Sequence, residues 1–110
     1  MTWKESLEAK NAIKACQSNG IHITTGYSPI LNSDYIHMQA GGYEAGVRIG
    51  DHRDMRPEVA NEYIATNIYH TAVNLLTEAA YTIHHPDLLK YARGVDQAHL
   101  EPKQDSQPIW

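Results

Sequence analysis

The chain has 110 residues, a net charge of −4, 42% hydrophobic and 20% charged residues. That length suits one domain with a modest core, and the single cysteine, Cys16, rules out an internal disulfide. Mild acidity disfavours a polyanion binder, whose affinity rests on clustered Lys and Arg; no apolar run approaches the roughly 20 residues needed to span a bilayer. The N-terminus, MTWKESLEAK, has no apolar signal core, so a cytoplasmic protein is the expectation.

The first element reads as a helix from about Trp3 to Asn19. Thr2 and Glu5 make a capping-box pattern, and Trp3, Leu7, Ala12, Ile13 and Cys16 make a rough apolar stripe. Gly20 stands where the residue past a C-cap belongs. The period then changes to two: IHITT, residues 21–25, predicts a strand. GYSPILNSD follows, rich in turn formers.

YIHMQAGGYEAGVRI is the clearest pattern. Two alternating runs flank Gly41-Gly42, which predicts a two-residue hairpin turn. That turn sets the register. Ala40 faces Tyr43, Met38 faces Ala45 and Ile36 faces Val47 on an apolar side. Gln39 faces Glu44, His37 faces Gly46 and Tyr35 faces Arg48 on a polar side. Gly46 inside a strand suggests a bulge, or close approach of another group.

The loop GDHRDMRP leads to a long helix from about Pro57 to His84, with Asp54 as a candidate cap. A short helix, PDLLKYARG, ends at Gly94. The expected fold class is α+β: α-β-β-β-α with a three-stranded antiparallel sheet packed on an N-terminal helix and a long second helix, then a short C-terminal helix and tail. Residues 1–94 form a single domain and 95–110 a polar, flexible C-terminal tail.

This element order, with GG in a hairpin before the second helix, is similar to that of double-stranded RNA-binding domains over about residues 3–84. That family grips phosphates with a Lys cluster opening the second helix. The corresponding stretch here, RPEVANEY, has two Glu and no Lys, so nucleic acid is not expected as a partner.

The long helix holds YIATNIYHTAVNLLT, fifteen residues with no Asp, Glu, Lys or Arg. Ala60, Ile64, Ala65, Ile68, Ala72, Leu75, Leu76, Ala79 and Ile83 form an apolar arc, extended by Val73 and Ala80. It is wider than the ~100° stripe of a surface helix. The opposite side carries Tyr63, Thr66, Asn67, His70, Asn74, Thr77 and Tyr81, polar but uncharged. A 28-residue helix is about 42 Å long, and short strands span about 17–20 Å, so part of the arc should overhang the sheet. The expected cover is a second copy, a homodimer through the long helix, with Asn67 and Asn74 fixing its register.

Chemistry-bearing clusters are sparse. The seven His show no metal-ligand spacing, and no Gly-rich phosphate loop stands between a strand and a helix. The loop DHRD, Asp51 to Asp54, could support general-base chemistry, but no nucleophile accompanies it. Glu58 and Glu62 share a helix face and could take a divalent metal. Tyr35, His37 and Arg48 on the sheet, with Arg53 in the loop, could hold a small anion.

The expected function is a small non-catalytic binding module, an inhibitor or adaptor that acts on another macromolecule as a homodimer. Phages and mobile elements often encode such proteins at this size. Its binding residues would be Tyr35, His37, Arg48, Arg53, Tyr63, Asn67, His70 and Asn74, with no catalytic residue, metal or cofactor. One alternative is a sequestering or sensing protein for a small anionic, nucleotide-like ligand. A further one is a metal-dependent enzyme.

Overall fold

A computed structural model describes residues 6–49, 56–82 and 86–105. Helix α1 (Leu7–Ser18) starts at Ser6, whose hydroxyl accepts the Ala9 N–H at 3.2 Å and donates to the Glu8 carboxylate at 2.9 Å. Such a cap contributes about 1 kcal/mol. The helix therefore starts later than the sequence reading placed it; Thr2, Trp3 and Glu5 lie outside the described residues. It ends in a Schellman motif at Gly20 (φ +83°), as expected: the Ile21 N–H reaches the Cys16 carbonyl and the Gly20 N–H that of Gln17. Ala9, Ala12 and Cys16 form its buried face. Leu7 was expected on that face but is exposed, because nine residues place it half a turn away from Cys16.

Strands β1 (His22–Ser28), β2 (Ser33–Ala40) and β3 (Tyr43–Ile49) form an antiparallel sheet in the order β1-β2-β3. The β2–β3 register is the expected one at every pair, from Ala40 opposite Tyr43 to Tyr35 opposite Arg48. Gly41 (φ +57°) and Gly42 (φ +81°) supply the two left-handed positions of the turn. Two expectations change. Gly46 makes no bulge, since pairing continues through Gly46 and His37. Strand β1 runs on through Gly26 to Ser28, where the ring of Tyr35 covers Gly26 and supplies the packing that a glycine lacks.

Ile36, Met38, Ala40, Val47 and Ile49 present the apolar sheet face to the core. Helix α2 (Pro57–Thr82) packs there against β3, and also against α1. Its apolar arc is buried as read: Ala60, Ile64, Ala65, Ile68, Ala72, Leu75, Leu76, Ala79 and Ala80 are all buried. Val73 is half-buried, and Ile83 lies outside the described residues.

Helix α3 (Asp87–Asp105) changes the picture most. It does not stop at Gly94, and residues 95–105, expected as tail, are helix. Val95 is fully buried, Ala92 nearly so, and Ala98 packs at the core edge. The helix lies antiparallel to α2: Tyr69 meets His99, while Val73 and Thr77 share a groove with Leu89, Ala92 and Asp96. The overhanging part of the arc is thus covered from within the chain. Gly94 sits where α3 crosses the end of α1. A Cβ there would overlap Asn19 Oδ1 and lie 2.9 Å from its Cγ, so the glycine serves close packing rather than helix termination.

Candidate functional site

The helices cover one face of the sheet and leave the other open. The hairpin register brings Tyr35, His37 and Arg48 together on the open face; Arg53 lies outside the described residues. Their contacts are local. His37 Nε2 stands 3.6 Å from Glu44 Oε1, and Gln39 Nε2 donates to the same oxygen at 2.7 Å. Arg48 reaches toward the turn before β2, where Nη2 donates to the Leu31 carbonyl at 3.4 Å. An anion on this face would meet the Glu44 carboxylate beside His37. The space that Gly46 leaves above His37 is therefore bordered by an acid.

The turn that receives Arg48 is a second surface, which sequence reasoning passed over. Residues 29–32 connect β1 to β2. Ile30 at their tip is 94% exposed, and Leu31 (48%), Tyr27 (51%) and Tyr35 (38%) flank it. The turn is pinned rather than loose. The Tyr27 hydroxyl donates to Asn32 Oδ1, and the Leu31 N–H donates to Ser28 Oγ at 3.3 Å. Asn32 takes a left-handed φ of +49°, which asparagine tolerates better than most residues. The available signal was the pair Ile30-Leu31 inside a turn, where polar residues are the rule.

The third surface is the outer side of α2. Tyr63, His70, Asn74 and Tyr81 are exposed there, while Thr66, Asn67 and Thr77 are half-buried. His70 meets His99 edge to face with ring centroids 5.7 Å apart. Tyr69, assigned to neither face from the sequence, is buried and stacked on His99.

Buried titratable groups are tuned toward inertness. Burial pushes the Cys16 thiol up to about 12 from 9.0, so it is not a ready nucleophile. Burial, with Cys16 beside it, also raises the Tyr69 phenol. Glu58 and Glu62 are both exposed on the first turns of α2. Among the described residues no three His, Cys, Asp or Glu side chains gather as a metal site would require. The loop from Asp51 to Asp54 lies outside them. Nor is any helix among them long and apolar enough to cross a membrane. The groove between α2 and α3, about 390 Å³, is lined by Val73, Thr77, Leu89, Ala92, Arg93 and Asp96.

Compared with known protein families, with curated proteins and with solved structures, the chain matches none of them. The likeness to double-stranded RNA-binding domains is one of element order, to which this chain adds the long α3.

Proposed function

We propose that this protein is a small non-catalytic binding module, an inhibitor or adaptor, that engages another macromolecule through the tip of its β1–β2 hairpin. The observation that carries the reading is Ile30. A branched aliphatic side chain that is 94% exposed on a turn held by two side-chain hydrogen bonds has no role in its own fold. Burying such a side chain against a partner contributes about 1.5–3 kcal/mol. Tyr27, Leu31 and Tyr35 surround it with the residue types that make interface anchors. The pinned turn lowers the ordering cost of binding.

The test compares capture from native lysate by the wild type and by the double variant Ile30→Asp, Leu31→Asp. The expected result is a protein retained by the wild type and lost by the variant, with both giving the same circular dichroism. The same bound proteins on both would overturn the reading. A second reading, a small anionic ligand on the open sheet face, is supported by the convergence of Tyr35, His37 and Arg48. A rise in melting temperature with added nucleotide, abolished by Arg48→Ala, would favour it.

A further inference from the structure

The two edges of the sheet are not alike. The two-residue turn makes Ala40 and Tyr43 a hydrogen-bonded pair, and such pairs alternate along an antiparallel ladder. The even-numbered residues of β2 therefore bond to β3, and the odd-numbered ones bond to β1. This leaves the backbone groups of Glu44, Gly46 and Arg48 pointing outward at the β3 edge. At the β1 edge they are those of Ile23, Thr25 and Tyr27. Among the described residues nothing hydrogen-bonds to these three N–H and carbonyl pairs. An open edge recruits another strand unless charge, proline, a bulge or a covering element blunts it. The β3 edge has Glu44 and Arg48 at its outward positions, and α2 packs against the strand. The β1 edge has no such device. Residues 22–28 include no Asp, Glu, Lys, Arg or Pro, their pairing with β2 is unbroken, and Thr25 and Tyr27 are exposed.

We infer that a second copy of this chain pairs its β1 antiparallel with this β1, about a two-fold axis at Thr25, to form one continuous six-stranded sheet. Symmetry fixes the direction. In a parallel ladder each residue bonds to the two neighbours of the one it faces, so the strands play unequal parts. A closed two-fold dimer needs equal parts, which an antiparallel ladder supplies. The free backbone groups fix the register. They meet only where an odd-numbered residue faces an odd-numbered one, and centring on Thr25 is the register of this kind that uses the whole strand. Thr25 then faces Thr25, and Ile23 faces Tyr27 on either side of it. Threonine pairs and aromatic–β-branched pairs are among those that stabilise antiparallel sheets. His22 faces Ser28, so no like charges meet along the seam.

Tyr35 points to a second copy rather than to an arbitrary strand. Its ring crosses from β2 over Gly26 with the hydroxyl end foremost, into the space that a Cβ would fill. The hydroxyl therefore stands above the edge strand, and among the described residues it has no hydrogen-bond partner. In the Thr25-centred register the residue opposite Gly26 is Thr24 of the other copy. That pair is of the close kind, with Cα atoms about 4.5 Å apart. The Thr24 hydroxyl both donates and accepts, so it answers the Tyr35 hydroxyl, once on each side of the axis. The inference goes beyond the hairpin-tip reading, since Ile30 and Leu31 lie past the end of the ladder and each copy carries its own tip.

Sedimentation of the 110-residue chain at about 100 μM, where micromolar association is nearly complete, tests the inference. The wild type is expected at twice the 12.4 kDa chain mass. Thr25→Pro removes an outward N–H and no bond to β2, a place where an edge strand tolerates proline, and should sediment as one chain. Thr25→Lys sets like charges on the axis and should do the same. Circular dichroism checks folding; if the proline variant is unfolded, the lysine variant decides. The Ile30→Asp, Leu31→Asp protein should remain two chains, which separates this edge from the hairpin tip. A monomeric wild type, a dimeric folded Thr25→Pro or a monomeric tip variant overturns the inference. Oxidative cross-linking reads the register. Thr25→Cys puts two thiols across the axis at a Cα spacing of about 5.5 Å, which a disulfide spans. Thr24→Cys leaves its two copies on a diagonal about 7–8 Å apart, which is too far. Cys16 is buried and stays out of the reaction. Faster cross-linking through position 24 than through position 25 would overturn the Thr25-centred register.

Discussion

Tyr69 on α2 and His99 on α3 stack face to face, with ring centroids 4.4 Å apart and planes 12° apart. The contact fastens the C-terminal half of α3, the part whose sequence reads as tail, to the middle of the longest helix. Tyr69 is buried and contributes most of the area. Tyr69→Ala should lower unfolding free energy by about 3 kcal/mol, and His99→Ala by about 1 kcal/mol. Urea unfolding measures both. If α3 were dispensable, the His99→Ala value would fall within error of zero.

Gly94 and Asn19 give a second test. Alanine is the better helix former by about 1 kcal/mol, so Gly94→Ala would stabilise an isolated α3. Here the new Cβ would displace the Asn19 side chain, whose Nδ2 donates to the Ala15 carbonyl at 2.7 Å. The expected net effect is a loss of about 1–2 kcal/mol. In an Asn19→Ala background the same change should become neutral or stabilising. A double-mutant cycle with no coupling would contradict the close approach.

These two contacts also mark where the sequence stopped being informative. The β2–β3 register was legible because two independent constraints, the Gly-Gly turn and the period of two, agreed on it. The buried arc of α2, from Ala60 to Ala80, was legible because its spacing repeats over about six turns. Its cover was not: Gly94 and Pro102 both look like helix breakers, and the apolar residues between them are few. Whether a glycine ends a helix or admits a neighbour depends on what crosses it, which is long-range information. Among the candidate site residues, Tyr35, His37 and Arg48 were brought together as the register required. The pairing of His37 with Glu44 and the turn of Arg48 toward Leu31 depend on rotamers that no local pattern specifies. Ile30 was passed over because Pro29 and Asn32 beside it dominate the turn signal.

Cys16 predicts a pH dependence. Its thiol ionises near 9.0 when exposed and at about 12 when folded. The folded state therefore keeps the proton that the unfolded chain loses first, and stability falls as pH rises between those values. Below about pH 9 the contribution is intact. Tyr69, raised by burial from 10.0, adds to the decline at the upper end. Urea midpoints should be flat toward neutral pH and drop above about 9. Cys16→Ala, lower at neutral pH by about 1 kcal/mol for its small cavity, should show a shallower alkaline drop. An unchanged slope would mean that the thiol is not buried as described. The native protein should also resist thiol-labelling reagents at pH 8 until it is unfolded.

The β2–β3 turn gives the last test, on backbone conformation alone. Both central residues have positive φ, Gly41 at +57° and Gly42 at +81°. Asparagine adopts the first of these readily, and Asn-Gly is the favoured pair for such a turn. Gly41→Asn removes freedom from the unfolded chain without straining the folded one, so it should stabilise by about 0.5 kcal/mol. Gly41→Val puts a β-branched residue into the left-handed region and should cost 1 kcal/mol or more. The two substitutions sit at an exposed site, so burial cannot account for a difference of sign. Thermal unfolding in which both changes destabilised equally would show that the turn does not have this geometry.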